Sequence, residues 1–248
     1  MRQLAPAALL LALLAGGPAL AADPRSPRPA QPQPQPAGPY GVLRCDATQV
    51  RYELTTEDAL WATRMLVGEA GGRDDVDDAA VLWTMLNSYA IRDVRKHYPS
   101  FAAFVRAYCT PLQPYLKSQG ALRRHQKKKT PLVEVEPGKF QLKRHVELQQ
   151  RAWEKLPQGA RDLVLRVFRG QQQTPCGAAT QFCSTAVYYK DAHDRAPSAE
   201  EHEAFTKEFA AKKKWRWVVP KGSRVRNNCF FEELRFDPLK PAVKVEAK

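Results

Sequence analysis

The chain has 248 residues, and its 39 lysines and arginines outnumber its 26 aspartates and glutamates, which gives a formal net charge of +13. Such an excess suits an anionic partner, such as a cell-wall polymer or a membrane surface. The sequence contains no finger, recognition motif or aromatic-basic platform typical of nucleic-acid-binding proteins, so no nucleic-acid partner is expected.

The N-terminus indicates export. Arg2 precedes an apolar stretch from Leu4 to Leu14, and Ala19-Leu20-Ala21 follows as a cleavage site, so residues 1–21 are predicted to be a signal peptide. This stretch is too short to span a bilayer and no later apolar run is long enough, so no stable membrane insertion is expected. The sequence therefore predicts a periplasmic or secreted protein. Its oligomeric state stays open.

The mature chain divides by composition. Prolines and glutamines alternate up to Pro39, which favours extended conformations, so residues 22–44 are predicted to be a linker. Residues 45–238 are long enough for one compact domain, and residues 239–248 are expected to be a flexible tail.

Five cysteines lie in the mature chain, where export permits disulfides. Cys176 and Cys183 bracket a short loop that they could close, and three others compete for a second bridge: Cys45, Cys109 and Cys229. The pairing stays open. A cysteine nucleophile paired with His193 is disfavoured, because it would need a reduced thiol in an oxidising compartment.

The segment MLVGEAGGRDD places Glu69 at the end of an apolar helix. Thr55 or Thr56 can cap the start of that helix, and Gly71 and Gly72 can end it. Glu69 then lies in the last turn, where the helix dipole and apolar neighbours both favour the protonated carboxyl. A protonated carboxyl of this kind can act as the general acid of a glycosidase. The alternative is a solvated residue that merely follows a buried helix.

A second helix is predicted over residues 76–90. The acidic residues at its start (Asp74, Asp75, Asp77, Asp78) suit helix capping better than catalysis. Asn87 lies on the inner face of this helix, where its amide needs a protein or ligand partner.

These segments resemble the cell-wall hydrolases of the spore-cortex-lytic enzyme type, within the lysozyme and lytic transglycosylase group. GEAGGRDDVDDAAVLWTMLNS matches the Gly-Glu-Ala of that family through Glu69, and Asn87 matches its asparagine. YPSFAAFVRAYCTPLQPY resembles the next helix and a substrate loop around Gln113. VFRGQQQTPCGAATQF resembles the last signature, in which Thr180 and Phe182 lie beside the cleft.

The resemblance implies a lysozyme-like domain that cleaves the glycan strands of peptidoglycan, with Glu69 as general acid and base. It also implies substrate contacts from Asn87, Gln113, Thr180 and Phe182. Because no second carboxylate is clearly paired with Glu69, an anhydro-forming lytic route is favoured, while hydrolysis assisted by an aspartate from 74–78 stays open. Ser88 stands where the family has arginine, so a non-catalytic peptidoglycan-binding or inhibitor-like protein is the alternative.

The remaining segments complete a mainly α (α+β) prediction with short C-terminal strands. Residues 120–130 form a cationic run that is expected to be a solvated loop, or else to hold anionic groups of the wall. Helices are predicted over 143–156, 157–170 and from Ser198 to about Ala211, and strands at 215–220 and 225–231. Tyr188 and Tyr189 could stack on sugar rings or pack in the core. The histidines lack metal-ligand spacing, so neither a metal nor another cofactor is predicted.

Overall fold

The computed structural model describes residues 38–223 and 228–248. The predicted signal peptide and residues 22–37 of the predicted linker lie outside the described residues. In the described part the chain forms helices and strands in an α+β arrangement, which confirms the predicted class.

Eight α-helices occur in the described chain, separated by short loops, 3-10 turns and strands. Their bounds are α1 Thr56–Glu69, α2 Val76–Ile91, α3 Phe101–Tyr108, α4 Gln119–Lys127, α5 Lys143–Gln150, α6 Gln158–Phe168, α7 Thr185–His193 and α8 Ala199–Lys213.

Eight strands in the same part of the chain form three small antiparallel units. Their bounds are β1 Val42–Cys45, β2 Val50–Glu53, β3 Leu132–Glu136, β4 Lys139–Leu142, β5 Gln181–Cys183, β6 Trp215–Val218, β7 Cys229–Glu233 and β8 Val243–Glu246. Their orders are β2-β1-β8, β3-β4 and β5-β7-β6. Each unit is too small to be stable alone, so each depends on packing against helices or neighbouring chain.

Capping explains where the first two helices begin. The Thr55 side chain accepts from the Asp58 amide, and the Asp58 carboxylate accepts from the Thr55 amide, which forms a capping box. Asp75 caps α2 by accepting from the amide of Asp78. Both predicted helices are therefore confirmed. The predicted use of the acidic cluster for capping is confirmed at Asp75.

Helix α2 forms the centre of the main core, because every residue from Asp78 to Ile91 is buried. It packs with α1, α3 and α6, and its largest side chain, Trp83, is 2% exposed. Fully burying a large apolar side chain contributes about 1.5–3 kcal/mol, so this helix supplies much of the stabilisation of the domain.

The C-terminal region packs as a second, smaller cluster. Strand β7 lies between β5 and β6, and Phe231 of β7 packs with Ala210 of α8 and with Trp215 of β6. The predicted capping box between Ser198 and Glu201 starts α8 and is confirmed.

Two expectations from composition differ from the structure. Residues 239–248 are not a free tail, because β8 pairs along β1, with Val42 opposite Glu246. The domain consequently starts before residue 45, inside the predicted linker.

The cationic run 120–130 is not a loop over most of its length. Ser118 caps α4 by accepting from the Ala121 amide, and α4 continues to Lys127. Arginine, lysine and glutamine have high helix propensity, so the run can be helical while its charges stay in solvent. No helix in the described part of the chain combines the length and apolarity that crossing a membrane would require.

Candidate active site

A cleft of about 340 Å³ lies where the end of α1 meets α2, α3, β5 and α7. Its volume falls at the lower end of the range of about 300–1,000 Å³ that is common for ligand sites. The residues that line it combine one carboxylic acid, one guanidinium, several hydroxyls and aromatic rings: Glu69, Met85, Ser88, Arg92, Phe104, Tyr108, Cys109, Thr110, Thr180, Gln181, Phe182 and Tyr188.

The glycine before Glu69 allows the cleft to form. A Cβ atom on Gly68 would lie 2.6 Å from the Cβ of Pro111, closer than real carbon contacts allow. Glycine therefore lets the 3-10 turn Thr110–Leu112 pack directly against α1. This contact brings the backbone N–H of Thr110 to the Glu69 carboxylate, which accepts its hydrogen bond.

The two glycines after Glu69 end α1. The Gly71 amide donates to the Leu66 carbonyl at 2.9 Å, and Gly71 has a φ of 100°. Gly72 has a φ of 67°, and a Cβ there would lie 3.1 Å from the Cβ of Ala160 in α6. Positive φ angles and close helix contacts both favour glycine, so the Gly-Gly pair stops the helix and leaves Glu69 in its last turn.

Burial controls the protonation of Glu69. It raises the pKa of this carboxyl from 4.5 to about 7, and the hydrogen bond from the Thr110 amide opposes that rise only in part. Glu69 can therefore hold a proton near neutral pH. Burial, together with the Glu69 charge, raises the pKa of the Cys109 thiol well above its usual range, so this neighbouring thiol stays neutral.

A buried glutamate organises the opposite wall. Glu233 is 7% exposed, and one of its carboxylate oxygens accepts from the Thr180 hydroxyl at 3.0 Å and from the Gln181 amide at 2.9 Å. The same oxygen lies 3.5 Å from Nε of Arg92, and the second oxygen lies 2.7 Å from Arg235. Glu233 thereby holds three lining residues of the cleft in place.

Arg92 supplies positive charge to the cleft. Its Nη1 donates to the Ser88 hydroxyl at 3.3 Å, and its guanidinium lies 5.9 Å from the Tyr108 ring centre. Because Glu233 also pairs with Arg235, the negative charge of Glu233 is shared between Arg92 and Arg235. The cleft therefore combines a carboxyl at Glu69, whose pKa is about 7, with a cation at Arg92.

Aromatic rings at the cleft are partly open to solvent. Tyr108 is 44% exposed and packs against Phe104 at 4.6 Å between ring centres. Tyr188 is 48% exposed and stacks on Phe209 at 5.4 Å. Amphipathic rings of this kind can lie against the apolar faces of sugars while their hydroxyls stay hydrated. Tyr189, in contrast, is buried against His193 and Phe205.

Three of the five residues proposed from the sequence meet in this cleft, namely Glu69, Thr180 and Phe182. Asn87 does not line it. Asn87 is fully buried, and its amide nitrogen donates to the carbonyls of Gly177 at 2.8 Å and Ala179 at 2.9 Å. These hydrogen bonds anchor the loop before β5.

Gln113 also lies outside the residues that line the cleft. Its side chain donates to the Ala107 carbonyl at 3.0 Å. Its own carbonyl accepts from Gln141 at 2.7 Å and Gln149 at 3.0 Å. Gln113 thus joins the turn after α3 to β4 and α5. The expected grouping of Glu69, Gln113 and Thr180 in one groove is only partly found.

The acidic cluster 74–78 takes structural roles. Asp78 is fully buried and accepts from the amides of Arg73 and Asp74, and Asp74 pairs with Arg166. Asp77 accepts from the Ser223 hydroxyl at 2.5 Å. None of these aspartates is among the cleft-lining residues of the described chain.

The sequence did not single out Arg92, Tyr108 or Glu233 as site residues. Arg92 directly follows the last residue of α2, and Glu233 ends β7, which is more than 160 residues away from Glu69 in the chain. A buried glutamate in an apolar strand such as CFFEE is a signal that could have drawn attention to Glu233.

All five cysteines are free in the structure. The suggested bridge between Cys176 and Cys183 is absent, because Cys176 lies in the main core beside Thr84 while Cys183 packs against the C-terminal cluster. Among residues 38–223 and 228–248, no three histidine, cysteine or acidic side chains form a group that could hold a metal ion.

Comparison with protein-family models, with curated proteins and with solved structures finds no match for this chain.

Proposed function

We propose that the protein is an exported enzyme that cleaves the glycan strands of peptidoglycan, with Glu69 as its general acid and base. The observation that carries this proposal is a carboxyl in a cleft whose pKa is raised to about 7 by burial. Glycoside cleavage needs such a group, because the departing oxygen must receive a proton as its bond to carbon breaks. The motif resemblance around Glu69 supports the same reaction.

The cleft favours the lytic route. Glu69 first donates its proton to the glycosidic oxygen and becomes a carboxylate. That carboxylate then removes the proton from the 6-hydroxyl of the same muramic acid residue, whose oxygen bonds to the anomeric carbon and closes an anhydro ring. A single carboxyl is sufficient for this sequence, and within the described chain Glu69 is the one carboxylic acid that lines the cleft.

The charge of the cleft suits an anionic substrate. The Arg92 guanidinium lines the same cleft as Glu69, and the whole chain carries a net charge of +13. Peptidoglycan carries carboxylates on its peptide stems, and a guanidinium binds carboxylates well. We therefore assign Arg92 to holding a stem carboxylate next to the bond that is cleaved.

A second candidate function is peptidoglycan binding without turnover, as a wall-binding or inhibitor-like protein. Two of the residues expected to contact substrate, Asn87 and Gln113, are occupied by internal hydrogen bonds. Ser88 also occupies the position that is an arginine in the cell-wall hydrolase family that these motifs resemble. These features favour a scaffold that holds the polymer without cleaving it.

Digestion of purified sacculi distinguishes these functions. The mature protein, Glu69→Gln and the exposed control Glu154→Gln are incubated with sacculi, and soluble and bound fractions are analysed by mass spectrometry. Anhydro-muropeptides released by the wild type and the control, but not by Glu69→Gln, support the lytic route. Reducing-end products would replace it with hydrolysis. Binding without release by every form would support the second candidate, and neither binding nor release would refute both.

A further inference from the structure

Two cysteines face each other in the sheet β5-β7-β6, whose strand β5 also lines the cleft. Cys183 ends β5 and Cys229 begins β7, and the two stand directly opposite each other in the antiparallel register. Opposite residues in such a pair have Cα atoms about 4.5–5.5 Å apart. A disulfide spans Cα distances of about 4.4–6.8 Å. The register therefore places the Cα atoms of these two residues in the range that a disulfide can span, although both cysteines are free in the structure.

The other cysteines do not compete for either thiol. Cys176 lies in the main core, where its sulfur is 3.5 Å from the Thr84 hydroxyl and 3.6 Å from the Ala80 carbonyl. Cys45 and Cys109 belong to that same core, whereas Cys229 and Cys183 pack together in the C-terminal cluster. Local structure thus isolates one pair among five cysteines.

The two thiols differ in their surroundings. Cys183 is partly exposed, so a small oxidant can reach it, while burial and the neighbouring Cys229 raise its pKa to about 12. Cys229 is buried, and its sulfur lies 3.2 Å from the Thr185 hydroxyl and 3.9 Å from Nε2 of His202. The Thr185 hydroxyl oxygen lies 2.7 Å from Nε2 of His202. A path for a proton therefore leads from Cys229 to His202.

We propose that Cys183 and Cys229 are a site of oxidation, and that they form an intramolecular disulfide by exchange with a disulfide oxidant such as oxidised glutathione. Cys183 first releases its proton to solvent; its thiolate then attacks one oxidant sulfur, the oxidant's disulfide breaks, and one glutathione thiolate leaves. Cys229 then passes its proton through Thr185 to His202 and attacks the Cys183 sulfur, which expels the second glutathione thiolate. Both protein thiols are oxidised, and the oxidant is reduced to two thiols that take up the released protons.

This bridge would fix the wall of the cleft. Phe182 precedes Cys183 and lines the cleft, and Glu233 at the other end of β7 holds Thr180 and Gln181. A covalent link between β5 and β7 prevents the two strands from separating. The inference concerns the strand pair itself, so it does not depend on the proposed activity toward peptidoglycan.

Peptide mapping tests the proposal on the intact mature protein. The protein is equilibrated with oxidised glutathione, unfolded in the presence of N-ethylmaleimide to block free thiols, digested without reduction and analysed by mass spectrometry. We expect a linked pair of peptides that contain Cys183 and Cys229 and lack both N-ethylmaleimide adducts. The matched variant Cys176→Ser should give the same linked pair. Cys229→Ser should instead retain glutathione on Cys183, because the second step is blocked.

Three results would overturn the proposal. One is a link from Cys183 to any cysteine other than Cys229. Another is alkylation of both residues in the wild type after equilibration. The third is a stable glutathione adduct on Cys183 of the wild type while Cys229 is alkylated. Because the decisive measurement uses the unaltered protein, it stays interpretable even if a cysteine variant fails to fold.

Discussion

Replacing Glu69 by glutamine should make the protein more stable at alkaline pH, in addition to abolishing its proposed activity. The folded protein holds the pKa of this carboxyl near 7, whereas its ordinary value is 4.5. Below pH 4.5 the carboxyl is protonated in both the folded and the unfolded chain. Between pH 4.5 and 7 it ionises more readily in the unfolded chain, so the stability of the folded protein falls through this range.

The size of the effect follows from the pKa. Each tenfold change in acidity corresponds to about 1.4 kcal/mol, so raising this pKa from 4.5 to about 7 costs the ionised, folded protein about 3 kcal/mol. Glutamine carries no charge at any of these pH values and can still accept the hydrogen bond from the Thr110 amide. For a domain of this size, Glu69→Gln should raise Tm by about 6–12 °C at pH 8 relative to wild type.

Thermal and urea unfolding at pH 4, 6 and 8, followed by circular dichroism, measures this difference. The advantage of Glu69→Gln should be small at pH 4 and greatest at pH 8. Glu154→Gln, which changes an exposed glutamate that does not line the cleft, controls for the loss of one negative charge. An advantage of Glu69→Gln that does not grow with pH would refute the assigned burial of the carboxyl, and with it the general-acid role.

Further predictions concern the cleft, its support and the cysteine pair. With Glu69 as acid, kcat/KM on sacculi should fall about tenfold for each pH unit above pH 7, because the protonated fraction falls in that proportion; a flat profile from pH 7 to 9 contradicts this. Arg92→Gln should weaken binding of sacculi about tenfold in sedimentation assays and leave binding of sacculi whose carboxylates have been converted to amides unchanged; equal loss on both refutes a carboxylate contact. Asn87→Ala should lower the free energy of unfolding by about 1–3 kcal/mol in urea melts, since the Gly177 and Ala179 carbonyls lose their donor; no loss would contradict the anchoring role. Oxidation at Cys183 should stabilise the protein by up to about 4 kcal/mol in calorimetry, as expected for a closed loop of this length; identical melting of oxidised and reduced protein would refute that gain.

Helices with complete local signals were predictable from the sequence. In α1 the Thr55 cap, the apolar face and the two glycines after Glu69 all lie within twenty residues, so no distant contact was needed to place its ends. The same holds for the capping box at Ser198. The cationic helix α4 was missed because its charges resemble a solvated loop, although its residues favour helix.

Pairings between distant segments were not predictable. Strands β1 and β8 are four residues each and carry charged residues among their apolar ones, so neither has a strong strand signal alone. The same distinction between local and distant signals applies to the residues of the candidate site. Glu69 was placed by its own helix, whereas Arg92 and Glu233 come together only because the fold brings the end of β7 within 3.5 Å of the Arg92 side chain. Asn87 lies outside the cleft-lining residues, which the sequence could not indicate, because burial against a loop and exposure to a ligand give the same polar-on-apolar pattern.

The pairing of β1 with β8 also determines when this protein can finish folding. Val42 lies opposite Glu246, so the first sheet stays incomplete until β8, about 200 residues later in the chain, is available to pair with β1. A nascent chain held at any earlier length leaves the edge of β1 without its second neighbour, and that edge is available to other chains. Closure across about 200 residues also makes the final step slow compared with the formation of the helices. A chaperone that shields β1 until β8 is available would therefore protect this edge from pairing with other chains.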